Sequence, residues 1–126
     1  VWGPVTYDLV SLMKDCYFEF PREIVCNRVE AFRLELTRSG RLLDTDSDTF
    51  LKWFDLMGMQ RHLKCAGIFS RLNLRDGKSR YLADIPLVIN YILETCTRYP
   101  ELTAFGAWLN RRIVPALDDV FQREID

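Results

Sequence analysis

The most pointed chemistry in the chain lies in Asp55-Leu56-Met57-Gly58-Met59-Gln60-Arg61-His62-Leu63-Lys64, where a carboxylate, an amide, a guanidinium and an imidazole fall within eight positions. Polar groups set into an apolar, aromatic stretch either make buried hydrogen bonds or line a pocket. Asp55, Gln60, Arg61 and His62 carry these groups, and their types and spacing leave both readings open. His62 is the only histidine, no nucleophile elbow accompanies it, and a lone histidine serves equally as a satisfied interior group. From Arg61 to Arg80 six basic residues (Arg61, Lys64, Arg71, Arg75, Lys78, Arg80) face a single acid, Asp76. Such a segment could bind phosphate or nucleic acid, but cations at the end of a helix are also favoured simply by its dipole.

Other chemistries are excluded by spacing. The six glycines are scattered, so there is neither a dinucleotide fingerprint nor a P-loop. Asp44-Thr45-Asp46-Ser47-Asp48 begins like a calcium loop, yet the sixth position is Thr49 rather than Gly and the twelfth is Asp55 rather than Glu. The run reads as a helix start. Cys16, Cys26, Cys65 and Cys96 are widely spaced without a CxxC pair, which predicts reduced interior thiols and no metal site.

These residues need elements to position them, and the apolar periodicity is helical throughout. Helices are predicted over Thr6–Phe20, Pro21–Arg38, Thr49–Leu72, Asp84–Arg98 and Leu102–Val114, with a last short one through Phe121 after Pro115. The fold class is all-α, five to six helices in a single domain over 1–126. Phe50, Trp53, Phe54, Leu63, Ile92, Phe105 and Trp108 are expected in its core. Gly58 and Gly67 inside the third helix each cost about 1 kcal/mol relative to Ala, so they signal close packing or a break near Gly58. With 17 basic and 18 acidic residues in 126, the net charge of −1 creates no field directed at nucleic acid or membrane. No apolar run approaches the roughly 18 residues a membrane span needs, and Val1-Trp2-Gly3-Pro4 has no signal-peptide character. The expected location is cytoplasmic. The missing initiator Met suggests a piece of a longer chain.

Two stretches carry a family resemblance. Gly3-Pro4-Val5-Thr6-Tyr7-Asp8-Leu9-Val10-Ser11-Leu12 resembles the segment that follows the metal-binding Asp-Phe-Gln motif in aminoglycoside-phosphotransferase-like kinases. The run Phe54 to Lys64, continuing through Gly67-Ile68-Phe69, Arg75-Asp76-Gly77-Lys78, Tyr81-Leu82-Ala83-Asp84 and Arg98-Tyr99-Pro100-Glu101-Leu102, looks like the bacterial cell-wall sugar kinases of that family, which phosphorylate N-acetylmuramate and N-acetylglucosamine at the anomeric position. The resemblance implies the helical C-terminal part of a protein-kinase-like large lobe. In the family's order the nucleotide-binding lobe, the catalytic loop and the magnesium ligand lie upstream, so the fragment holds no catalytic residue and no metal ligand and is expected to be inactive alone. ATP and magnesium are implied for the intact kinase, together with an amino-sugar substrate and the upstream part of the same chain as partner. Asp8 maps to support of the catalytic loop; Asp55, Gln60, Arg61 and His62 map to the acceptor pocket. The face around Tyr7 and Asp8 would then be uncovered and could pair two copies. The alternative is a stand-alone helical module that docks an anionic partner through residues 61–80.

Overall fold

The structure is a computed structural model that describes the backbone of residues 3–125 and the side chains of residues 3–120. Six α-helices follow in order: α1 (Tyr7–Met13), α2 (Arg22–Arg38), α3 (Ser47–Asp76), α4 (Ile85–Arg98), α5 (Thr103–Arg112) and α6 (Val114–Ile125). Short 3₁₀ turns at Ser79–Asp84 and Pro100–Leu102 precede α4 and α5, and no strand occurs among the described residues. The chain divides into two compact units, residues 1–61 and 62–126, with the boundary inside α3. No helix among the described residues is long and apolar enough to cross a membrane.

In the first unit the helix ends follow from identifiable side chains. Gly40 adopts a left-handed conformation, φ 67°. It closes α2 with the Gly40 N–H on the Thr37 carbonyl and the Arg41 N–H on the Leu36 carbonyl, the paired bonds of a Schellman cap. The Asp46 carboxylate accepts both the Thr49 N–H (2.8 Å) and the Thr49 hydroxyl (2.7 Å) at the start of α3. The acidic run is thus a helix cap, as its spacing predicts. The first helix departs from expectation. It stops at Met13 rather than Phe20, because Lys14 leaves helical geometry (φ −125°, ψ 56°) and Asp15 accepts the Tyr17 N–H at 2.7 Å in a local turn.

Val10, Met13, Val25, Val29, Leu36, Phe50 and Phe54 form the core of this unit. Phe50 and Phe54, one turn apart on α3, take its inner face. Trp53 lies about 100° round the helix from Phe54 and stays 44% exposed, its ring 6.2 Å from Phe50.

In the second unit α4 supplies most of the interior through Ile85, Val88, Ile89, Tyr91, Ile92, Thr95 and Cys96. Gly106 lets α5 approach it: a Cβ there would sit 2.8 Å from the Cys96 Cβ. Gly106 and Leu109 are the buried face of α5, which leaves Trp108 on another side, 45% exposed, with Phe105 half-buried against it. Leu63 is likewise outside the core at 42% exposure, because its neighbour His62 takes the inward position on α3. Gly77 (φ 64°) caps α3 with its N–H on the Asn73 carbonyl, four residues beyond the predicted end. Pro115 sits in the first turn of α6, which continues past Phe121 to Ile125.

The two aromatic positions separate in a stability measurement. Phe54→Ala removes a fully buried ring and is expected to cost about 3–5 kcal/mol. Trp108→Ala should cost under about 2 kcal/mol, since nearly half of its surface is already in water. Urea unfolding of both variants checks the ranking.

Candidate functional site

Asp55 is fully buried in the first unit. Its Oδ1 accepts hydrogen bonds from Lys14 Nζ (2.9 Å) and Arg22 Nη1 (2.8 Å), and its Oδ2 accepts one from Arg22 Nη2 (2.7 Å). Lys14 is itself 5% exposed, and its ammonium lies 5.4 Å from the centroid of the Phe54 ring. A buried ammonium is tolerated only when paired. The triad therefore ties the residue that ends α1 and the first residue of α2 to the third turn of α3.

Gly58 completes the arrangement. A Cβ at this position would approach the Lys14 Cδ to 2.9 Å, so the lysine stem crosses α3 where α3 has no side chain. The glycine marks close packing; α3 runs unbroken through it for 30 residues. Burial raises the Asp55 pKa, but the Arg22 hydrogen bonds and the Lys14 charge and hydrogen bond outweigh it, so the carboxyl is held below its ordinary value.

The other three candidates part company. Arg61 is half-buried with its guanidinium 4.7 Å from the Tyr7 ring centroid, a cation–π stack that joins α3 to the start of α1. Gln60 is exposed beside it in sequence, and Asp8 is exposed in the first turn of α1, where a carboxylate complements the helix dipole. Tyr7, 41% exposed, and Asp8 line an open cleft of about 610 Å³ with Gly3, Pro4 and Val5. An apolar cleft of about 430 Å³, lined by Pro4, Val5, Thr6, Trp53, Leu56 and Met57, lies on the same unit. His62 belongs to the second unit, 1% exposed and stacked on Tyr91 at 4.6 Å and 8°.

The geometry thus places Arg61 against the Tyr7 ring and leaves Gln60 on the open surface, while Asp55 and His62 are interior. Lys14 and Arg22 were not singled out by sequence. The available signal was a lysine within the apolar spacing of Val10, Met13 and Tyr17.

The basic segment 61–80 is mostly solvated. Lys64, Arg71, Arg75, Lys78 and Arg80 are exposed, Arg75 pairs with Asp76 at 2.7 Å, and Arg80 covers the Tyr81 ring. Among the described residues no three His, Cys, Asp or Glu side chains converge to hold a metal ion.

Over 109 residues, 86% of this chain, the sequence is 42% identical to the N-acetylmuramate/N-acetylglucosamine kinase of Neisseria meningitidis serogroup B. The chain is homologous to the N-acetylmuramate/N-acetylglucosamine kinases. The kinase of that name from Pseudomonas aeruginosa is also 42% identical, over 85% of the chain, and that from Caulobacter vibrioides 36% identical over 85%. The chain spans about a third of the length of these kinases, 33% of the Neisseria protein and 28% of the Caulobacter one. No family model matches it, and no solved structure matches it.

The triad also contributes to how stability depends on pH. The Asp55 pKa is lowered in the fold, so its ion pairs stabilise the protein at pH values above the ordinary carboxyl value of about 4. That contribution disappears as pH falls through the lower folded value. Glu30, held at about 2 by Arg33 and Ser47, titrates in the same direction. Asp55→Asn leaves the Lys14 charge buried without its counterion and should lose about 3 kcal/mol or more at pH 7, with a shallower decline between pH 5 and 2. Urea midpoints across that range test both outcomes.

Proposed function

We propose that this chain is the helical, acceptor-side part of a cytoplasmic ATP-dependent kinase that phosphorylates an amino sugar at its anomeric hydroxyl. The observation that carries this reading is the 42% identity maintained over 86% of the chain to kinases three times its matched length. Residues 1–126 act as one helical region, the C-terminal portion of a kinase large lobe. Nucleotide, magnesium and the catalytic carboxylate are provided by the upstream part of the same chain, because phosphoryl transfer depends on groups that position phosphates and metal. The fragment is inactive alone.

Gln60 and Arg61, with Tyr7, form the acceptor face. Asp8 braces the catalytic loop. Asp55 acts from behind by holding the end of α1 through Lys14, and His62 acts from the interior of its own unit. The upstream part covers the apolar face formed by Val5, Trp53, Leu56 and Met57; without it, two copies of the fragment associate there.

Expression of the complete reading frame that contains these residues tests the reading. It is expected to transfer phosphate from ATP to N-acetylmuramate or N-acetylglucosamine, while the 126-residue chain transfers none. A complete chain that phosphorylates neither sugar contradicts the proposal.

A further inference from the structure

Four described arginines are half-buried: Arg22, Arg33, Arg61 and Arg98. Three of them meet a carboxylate: Arg22 on Asp55 at 2.7 Å, Arg33 on Glu30 at 2.6 Å and Arg98 on Glu94 at 3.2 Å. Arg61 is the exception. It stacks on Tyr7, and no carboxylate among the described residues lies within ion-pair distance of it. A guanidinium that packs on an aromatic ring without a carboxylate partner retains the donor fork suited to bidentate capture of one. The Tyr7 ring that supports it also walls the open cleft of about 610 Å³ shared with Asp8. Because Asp8 already places a negative charge on that cleft, a second anion entering it needs a cation beside it.

We propose that Arg61 is the specificity-determining residue between the two acceptors: it takes the lactyl carboxylate that N-acetylmuramate carries and N-acetylglucosamine lacks. This inference rests on the amino-sugar kinase reading above. The two sugars share the pyranose ring, the acetamido group and the anomeric hydroxyl; they differ by the lactyl ether on the 3-oxygen. A residue that reads only the ring or the acetamido group affects both acceptors equally. One that reads the carboxylate affects N-acetylmuramate alone. Arg61 is thus a binding residue for one substrate, and phosphoryl transfer itself does not pass through it.

The experiment compares both acceptors with the complete kinase chain and its Arg61→Gln and Arg61→Lys variants. In Arg61→Gln, KM for N-acetylmuramate should rise about ten- to a hundredfold, the range for loss of a charge-assisted hydrogen bond. For N-acetylglucosamine, kcat/KM should stay within about twofold, and Arg61→Lys should recover part of the N-acetylmuramate loss. The ratio of kcat/KM for the two sugars within one variant is independent of how much of that variant is folded. An equal loss on both acceptors overturns the proposal and makes Arg61 a packing residue on Tyr7, while the kinase reading stands. An unchanged ratio with unchanged rates overturns it as well. A wild-type chain inactive on both sugars overturns the kinase reading and this inference together.

Discussion

Lys14 cannot be buried in the first unit without Asp55, and much of that unit's local structure follows from this constraint. An ammonium withdrawn from water loses far more hydration than packing returns. It stays inside only because Asp55 meets it at 2.9 Å, Arg22 holds the second carboxylate oxygen, and Gly58 leaves space for its stem. Breaking such a triad costs more than making it gains, since the remaining charge is stranded. Its contribution is therefore positional. It specifies where α1 ends, where α2 begins and which face of α3 both meet.

That positioning reaches the exposed Tyr7 and Asp8 side chains through a short element. α1 is only seven residues long, below the length at which a helix is stable by itself. Its two ends are held by α3, at Lys14 through Asp55 and at Tyr7 through Arg61, with Val10 and Met13 buried between them. The exposed edge of Tyr7 and the Asp8 carboxylate consequently have a defined orientation on the open cleft. Residues of one α3 stretch thus divide the work: Asp55 anchors, Arg61 and Gln60 face outward.

Local chemistry was legible in the sequence wherever one residue decides it. Asp46 as a cap, Gly40 as a left-handed helix end and Pro115 as a restart each follow from properties of a single residue type. The all-helical class follows from periodicity, and the kinase kinship from the runs beginning at Gly3 and Phe54. What periodicity does not encode is which of two adjacent residues turns inward. Trp53, Leu63 and Trp108 each lie beside a residue that took the inner position: Phe54, His62 and Leu109. The early end of α1 was hidden for a related reason. The Lys14–Asp55 contact joins residues 41 positions apart, and pairing of that kind leaves no local trace. The same contact moved Asp55 from candidate pocket residue to interior anchor.

Amide hydrogen exchange of Lys14→Met at pH 7 tests the anchoring role most directly, because methionine keeps the volume of the stem and removes only the charge. The account predicts faster exchange of the Val10 and Lys14 amides, which bond to the Thr6 and Val10 carbonyls, with α4 in the second unit unchanged. Protection of α1 equal to that of the wild type, or loss spread evenly over both units, would contradict it.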